Sequence, residues 1–228
     1  WILSSPYESV ESNKTDGFFT MTEVPLEEVC DFIMRGKHPD YVDDSDIRVL
    51  NQKALRWDKI EEEHLKYHNP DTDMFENRFL KTGDIAINST GVGTLGRVFY
   101  FDKDPGELFA DSHVTIIRTD EDLIHPEYLY YILKSPEYQK KIQNIAVGST
   151  GQIELNKGEL TQLKISFPDL KTQKLIIDLI NPIDSKIGTN RGLNKNLEAM
   201  VQTLFEHHFV DFGPYDNFKN TGIGEIPE

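Results

Sequence analysis

Short-period alternation of apolar and polar positions fills the middle of the chain. Asp84-Ile85-Ala86-Ile87-Asn88 alternates, Arg97-Val98-Phe99-Tyr100-Phe101 is β-branched and aromatic, and His113-Val114-Thr115-Ile116-Ile117-Arg118 is a third such run, so three strands are predicted. Gly83, Gly91, Gly93, Gly96 and Pro105-Gly106 punctuate them. Residues 24–29 and 47–50 are weaker strand candidates. The period then lengthens. Pro126-Glu127 sits at the first two positions of a helix whose apolar face is Tyr128, Leu129, Ile132 and Leu133, and Pro136 opens another running to about residue 145. Lys164-Ile165-Ser166-Phe167 reads as a last strand closing this region.

From Thr172 the pattern changes again. A short helix over about 171–180 leads to Pro182, and a long one runs on to about residue 209. Along it Ile183, Ile187, Asn190, Asn194, Leu197, Val201, Leu204 and His208 alternate four and three residues apart, an a/d heptad seam with two asparagines near its centre. About 27 residues of helix extend about 40 Å, more than a small domain needs for its own core. Such a helix can fold back on its own domain. Core asparagines, however, cost stability and fix register and partner number, so a seam awaiting a second helix is the preferred reading. Residues 213–228, with Pro214, Asn217, Asn220, Gly222, Gly224 and Pro227, show no periodicity and read as a linker. The prediction is an α+β chain: mixed strands and short helices over 1–169, a long coiled-coil helix over 170–212, and a linker over 213–228.

Composition narrows the possibilities. The 228 residues carry 39 acidic against 24 basic side chains, a net −15, which argues against a protein that coats nucleic acid with its whole surface. Residues 47–101 and 134–197 nevertheless hold 18 of the 24 cations. A local phosphate-facing surface is therefore compatible with an acidic molecule, because screening over ~8 Å makes nearby charge decide contact. Ordinary solvated faces would give the same counts. The 38% apolar content lies below the usual ~45–50%, as expected for one real core plus an element that stays wet until it meets a partner. The lone Cys30 excludes an internal disulfide framework and a cysteine zinc cluster. No apolar run approaches the ~18–20 residues of a membrane span, so no membrane partner is expected. The start, Trp1-Ile2-Leu3-Ser4-Ser5, has neither an initiator methionine nor a signal-peptide pattern, as expected for an excised piece of a cytoplasmic protein.

Gly91-Val92-Gly93-Thr94-Leu95-Gly96 matches G-x-G-x-x-G, but a dinucleotide site needs a helix after the glycines, and a strand pattern follows here. A glycine turn between strands instead lets a ligand approach the backbone closely. It is flanked by Asn88, Ser89, Thr90, Thr94 and Arg97, amides, hydroxyls and a guanidinium suited to base edges and phosphates. Gly148-Ser149-Thr150-Gly151-Gln152 repeats this chemistry after a helix carrying Lys134, Lys140 and Lys141. Asn51-Gln52-Lys53, with Arg56 and Trp57, supplies two more amides at a strand end. Candidate DNA contacts are thus Asn51, Gln52, Lys53, Arg56, Asn88, Ser89, Thr90, Gly91, Thr94, Arg97, Ser149, Thr150 and Gln152. Catalytic constellations are missing. Asn69-Pro70-Asp71 and Asn181-Pro182-Ile183 are not an aminomethyltransferase's Asn-Pro-Pro-aromatic stretch, and Pro168-Asp169 lacks a nuclease's spaced acidic-x-Lys partner. His64 and His68 lack a third ligand, the adjacent His207 and His208 point to different helix faces, and His113 has no evident base or orienter. No metal site is predicted.

These stretches together resemble the specificity subunit of type I restriction–modification systems, namely one target-recognition domain with its following spacer helices. The resemblance is carried by residues 81–97, by 111–118, by Gly148-Ser149-Thr150-Gly151-Gln152-Ile153-Glu154-Leu155, and by 173–187 and 197–209. Asn51-Gln52-Lys53 and Gly224-Glu225-Ile226-Pro227-Glu228 also fit, the latter resembling the approach to a second recognition domain. Coverage is roughly residues 20–228. Only one recognition domain is present where a full subunit resembles two in tandem, so the chain is either half of a longer one or a half-subunit that pairs with itself. The resemblance implies a non-catalytic reader of one half of a bipartite sequence in double-stranded DNA. It implies docking of methyltransferase subunits that carry S-adenosylmethionine and methylate adenine, and a nuclease–translocase subunit completing the assembly. It further implies antiparallel pairing of the seam Ile183, Ile187, Asn190, Asn194, Leu197, Val201 and Leu204 with a second spacer helix. A helical interaction scaffold without its own DNA readout is the alternative that the acidic balance favours.

Overall fold

The computed structural model describes residues 20–72, 76–149, 152–222 and 224–227, without the side chains of Ser149 and Gln152. The chain divides into two units, one running to Ile177 and the other starting at Asp178. The architecture is α+β, with mixed sheets followed by a long helix.

The strands of the first unit are β1 (Thr22–Pro25), β2 (Cys30–Arg35), β3 (Tyr41–Val42), β4 (Arg48–Leu50), β5 (Lys66–His68) and β6 (Ile85–Asn88). They continue with β7 (Val98–Tyr100), β8 (Leu108–Ala110), β9 (Val114–Thr119), β10 (Ala146–Ser149), β11 (Gln152–Leu155) and β12 (Lys164–Phe167). Three helices, α1 (Pro126–Lys134), α2 (Pro136–Asn144) and α3 (Lys157–Thr161), belong to the same unit. One antiparallel sheet has the order β2-β9-β6-β7, and a second has the order β3-β5-β4-β8 with β4 and β8 parallel. The pairs β1-β12 and β10-β11 stand apart from both.

The central strands of the first sheet, β6 and β9, are buried on both faces. Ile85 and Ile87 of β6 and Ile117 of β9 join the cluster built with Leu129, Leu133 and Ile142 of α1 and α2. Ala86, Val114 and Ile116 join the opposite cluster with Leu50, Phe101 and Leu108. Alternation along β6 and β9 therefore sorts side chains between two cores, not between core and water, which explains the unbroken apolar runs Ile85-Ala86-Ile87 and Ile116-Ile117. A carboxylate is buried between these strands as well. Asp84 is wholly enclosed and accepts from Arg118 Nε (2.7 Å) and Nη2 (2.8 Å), a bidentate pair across the sheet.

Local rules account for the helices. Pro126 and Pro136 occupy N1, where a missing N–H costs nothing, and the Ser135 hydroxyl caps α2 by accepting from the Tyr138 N–H. The weak strand expected over 24–29 splits into β1 and a 3-10 turn, Leu26–Val29, whose Leu26 and Val29 are buried. Strands β2, β3, β5 and β8 carry no clear alternation and were not foreseen.

Helix α4 (Leu170–Phe205) runs from the first unit into the second. Two helices were expected on either side of Pro182, but one continuous helix forms with the proline inside it. The proline removes one ladder donor and crowds one turn, and the bonds of the flanking turns confine that loss. The helix closes in a π-turn, Glu206–Val210. The stretch read as a linker holds an antiparallel hairpin, β13 (Phe218–Thr221) with β14 (Gly224–Pro227). Gly222 lies in its turn, and Gly224 opens β14 at φ +123, where Thr221 Oγ1 donates to its carbonyl (2.7 Å). Among the described residues no helix is long and apolar enough to cross a membrane.

Candidate nucleic-acid interface

Sheet topology gathers the polar turns. Because β4 and β8 run parallel, both finish at the same edge, and the Asp111 N–H donates to the Leu50 carbonyl (3.0 Å) just beyond their ends. Loop 51–53 and turn 111–113 are therefore neighbours. Strand β6 runs antiparallel to β9, so its end meets the start of β9, and the Ser89 N–H donates to the His113 carbonyl (2.8 Å). The hairpin β10-β11 is then stitched on by Gly91 N–H to Ile153 O (3.1 Å) and Leu155 N–H to Ser89 O (2.7 Å). Gly36 lets the end of β2 reach the same edge, since a Cβ there would collide with the carbonyls of Ala110 and Asp111.

Two adjoining concavities result. A cleft of about 680 Å³ is lined by residues that include Gln52, Thr90, Gly91, His113, Gly148 and Glu154. A smaller one of about 330 Å³ is lined by residues that include Tyr41, Asn51, Lys53, Lys66 and Asp111. Gln52 and His113 line both.

The candidate contacts separate into those that build this edge and those that face it. Asn51 is buried, with Nδ2 donating to His64 O (2.8 Å) and Oδ1 accepting from the Lys53 and Ala54 N–H groups, so it shapes its loop. Asn88 is fully buried and donates to the Gln52 carbonyl (3.1 Å), while its Oδ1 has no partner. Ser89 is fully buried against Thr115 Oγ1 (2.5 Å). All three were expected to contact DNA; here Asn88 and Ser89 brace the edge from within, while Asn51 shapes its loop and also lines the smaller concavity. Thr94 Oγ1 donates to Thr90 O (2.9 Å) and Gly91 O (3.2 Å) within its own turn. Arg97 Nη2 donates to Gly93 O (3.1 Å), its Nε and Nη1 lie buried, and burial followed by repulsion from Arg56 lowers its pKa. Arg56 is held by Glu61 (2.7 Å), and hydrogen bonds from Lys59 first and Arg56 second lower the Glu61 carboxyl to about 2.

Gln52, Lys53, Thr90 and Gly91 do line the concavities. Gln52 Oε1 accepts from Thr90 Oγ1 (3.2 Å), and Gly91, at φ +93, leaves no room for a side chain: its Cβ would sit 2.5 Å from Thr94 Oγ1 and 2.6 Å from Gln52 Oε1. Ser149 and Gln152 are opposed in the β10-β11 ladder, while their side chains and all of Thr150 lie outside the described residues. The G-x-G-x-x-G turn leads into β7, not a helix, so the dinucleotide arrangement does not form. Helix α2 clamps that turn instead, with Gln139 Nε2 donating to Gly96 O (2.8 Å) and Gln143 Nε2 to Leu95 O (2.9 Å).

A feature missed in the sequence is the orienter of His113. Asp111 Oδ1 accepts the His113 N–H (2.8 Å) and Oδ2 faces His113 Nδ1 (3.1 Å). Burial pushes the Asp111 carboxyl up and the His113 contacts pull it back, while burial first and Asp111 second raise the Tyr41 hydroxyl to about 12. The Asp-x-His spacing was visible; that a parallel strand partner would bury its aspartate was not. Acidic neighbours are paired too: Arg35 binds Glu154 beside the cleft, and Lys134 and Lys141 bind Asp58 and Glu137. Among the described residues no group of three or more His, Cys, Asp or Glu side chains is placed to hold a metal. On α4 the seam residues Ile183, Ile187, Leu197, Val201 and Leu204, with Asn190 and Asn194, are all exposed.

The class the fold defines is a mixed-sheet module that gathers polar turns at one edge, followed by a long helix with an exposed heptad seam. The family model of the type I restriction modification DNA specificity domain matches residues 20–199, and the chain belongs to that family. It is 32% identical over 168 residues to the type I restriction enzyme HindI specificity subunit of Haemophilus influenzae, covering 73% of this chain and 35% of that protein. It is 31% identical over 138 residues to the putative MjaX specificity subunit of Methanocaldococcus jannaschii, covering 59% and 32%. Its fold is similar to the crystal structure of a type I restriction–modification S subunit from M. genitalium, with a TM-score of 0.59 at 16% identity over 86% of this chain and 47% of that one. The chain thus spans about a third of the length of these curated relatives.

Proposed function

We propose that this chain is one DNA-reading half of a type I restriction–modification specificity subunit and carries out no bond-making itself. The double cleft reads one half of a bipartite sequence in double-stranded DNA. The exposed seam of α4 pairs antiparallel with a second spacer helix, from another copy or from the other half of the protein, and sets the distance between half-sites. Methyltransferase subunits dock on the helical region and bring S-adenosylmethionine to methylate adenine, and a restriction–translocase subunit completes the complex in the cytoplasm.

The observation that carries this reading is the convergence of loops 51–53, 88–91 and 111–113 with the β10-β11 hairpin on one concave, polar edge. Amides and an imidazole at a groove-sized edge suit base readout, whereas phosphate grip needs surplus cations, which partner subunits supply to an acidic chain. The test is binding of the assembled complex to its own DNA site. Gln52→Ala with Lys53→Ala should weaken specific binding by at least about ten-fold, given ~1–3 kcal/mol for a good base contact. Unchanged specific affinity would favour the scaffold reading, which the acidic balance of the chain supports.

A further inference from the structure

At the junction of the two concavities stand two side chains common to both, Gln52 and His113. Gln52 already spends Oε1 on Thr90. The imidazole of His113 is 44% exposed, while the Asp111 carboxylate behind it is 2% exposed. Both oxygens of that buried carboxylate engage the histidine, Oδ1 taking the backbone N–H at 2.8 Å and Oδ2 facing Nδ1 at 3.1 Å, and the Tyr41 hydroxyl bonds the same carboxylate. A second fastening comes from behind, because the His113 carbonyl accepts from the Ser89 N–H (2.8 Å).

The consequence is a fixed tautomer. A carboxylate can only accept, so in the neutral imidazole it keeps the single ring proton on Nδ1 and leaves Nε2 as the acceptor at the exposed end of the ring. Arg35 is tied to Glu154 and to the Ser89 carbonyl, and Asn156 Oδ1 to the start of α3, so these neighbours lack that freedom. An oriented acceptor at a base edge complements an exocyclic amino group, which in the major groove is adenine N6 or cytosine N4.

We infer that His113 is a specificity-determining residue of the cleft, held by Asp111 so that its Nε2 accepts from the exocyclic amino group of one base in the major groove. This rests on the DNA-reading proposal above and adds a named contact to it. Asp111 is a positioning residue that acts through the histidine.

The experiment is selection of bound sequences from a randomised duplex pool, using the full-length protein assembled with its methyltransferase partner. Wild type should enrich a defined motif, and His113→Ala should enrich the same motif with a single base pair relaxed, its preference reduced about ten-fold. Placing an analogue without the exocyclic amino group at that position should weaken wild type by about ten-fold and leave His113→Ala unaffected. His113→Gln, which keeps an acceptor oxygen at comparable reach, should retain the wild-type base there and carries the test if the alanine variant does not fold. A motif unchanged in the alanine variant, or preferences that relax evenly at every position, would overturn the inference and leave the DNA-reading proposal standing. A wild-type complex that enriches no motif would overturn both.

Discussion

The two ends of α4 invert the usual rule for polar and apolar side chains. Up to Ile177 the helix is fastened into the first unit: Gln173 is fully buried, its Oε1 accepting from the His125 N–H (2.9 Å) and its Nε2 donating to the carbonyls of Leu123 (3.2 Å) and Pro168 (2.9 Å). Beyond Asp178, apolar side chains at regular heptad spacing are left open, with Ile183 62%, Leu197 48% and Leu204 56% exposed. A buried polar side chain with every bond satisfied is stable within one chain. A row of uncovered leucines and isoleucines is not explained by the chain alone, and the two asparagines within it fit a partnered seam better than a solvent face.

That contrast is broken most directly at the seam. Ile183→Glu with Leu197→Glu removes two apolar contacts worth ~1.5–3 kcal/mol each and places charge in the pairing face. Association through the helix, measured by analytical ultracentrifugation of the full protein, should weaken by well over a hundred-fold. Near-ultraviolet circular dichroism of the first unit should not change. A double variant that assembles like wild type would show that the seam is not an interface.

The opposite perturbation strikes the first unit. Asp84→Asn leaves Arg118 without its carboxylate between β6 and β9, and because the guanidinium is 30% exposed the cost falls at the low end of the range for a broken buried pair, about 3 kcal/mol. Urea unfolding should show that loss in the first unit while helix pairing persists. A loss below 1 kcal/mol would mean that packing alone holds the two strands together.

How much of this was legible follows the same divide between local and long-range causes. Strands β6, β7 and β9 and helices α1 and α2 announce themselves because their signals are local: β-branched runs, and proline at N1. The cleft was half legible. Gln52, Thr90 and Gly91 were picked out, yet Asn88 and Ser89 share their chemistry and turn inward, and Asn51 spends its amide on its own loop. Side-chain type does not say which amide is spent on the chain, although the Asn51-Gln52-Lys53-Ala54 stretch does carry an Asx-turn signal. His113 escaped because its meaning depends on the parallel pairing of β4 with β8, sixty residues apart in the chain by the register Leu50 to Ala110. Three-residue strands give no periodicity from which to read such a pairing.

Alkaline pH offers the finest separation of the two regions. Burial, then repulsion from Asp31 and Asp120, raises the Cys30 thiol from 9.0 to about 12, and burial raises the Tyr128 hydroxyl from 10.0 to about 12. Both groups are acids whose neutral form the fold prefers. Above pH 9 the unfolded chain releases the Cys30 proton while the folded one keeps it, and above pH 10 the same holds for Tyr128, so stability falls as pH rises through 9 to 12. Below pH 9 both contributions are fully present. Cys30 should cost about 1 kcal/mol per pH unit over the first step, read as a falling urea midpoint between pH 8 and 10. Cys30→Ser should flatten that step, and Tyr128→Phe should reduce the next, to which Tyr41 also contributes; all three residues lie in the first unit. Helix pairing through α4 should not follow the same curve, so a first unit whose urea midpoint holds steady to pH 11 would refute the burial of these groups as the source of the difference.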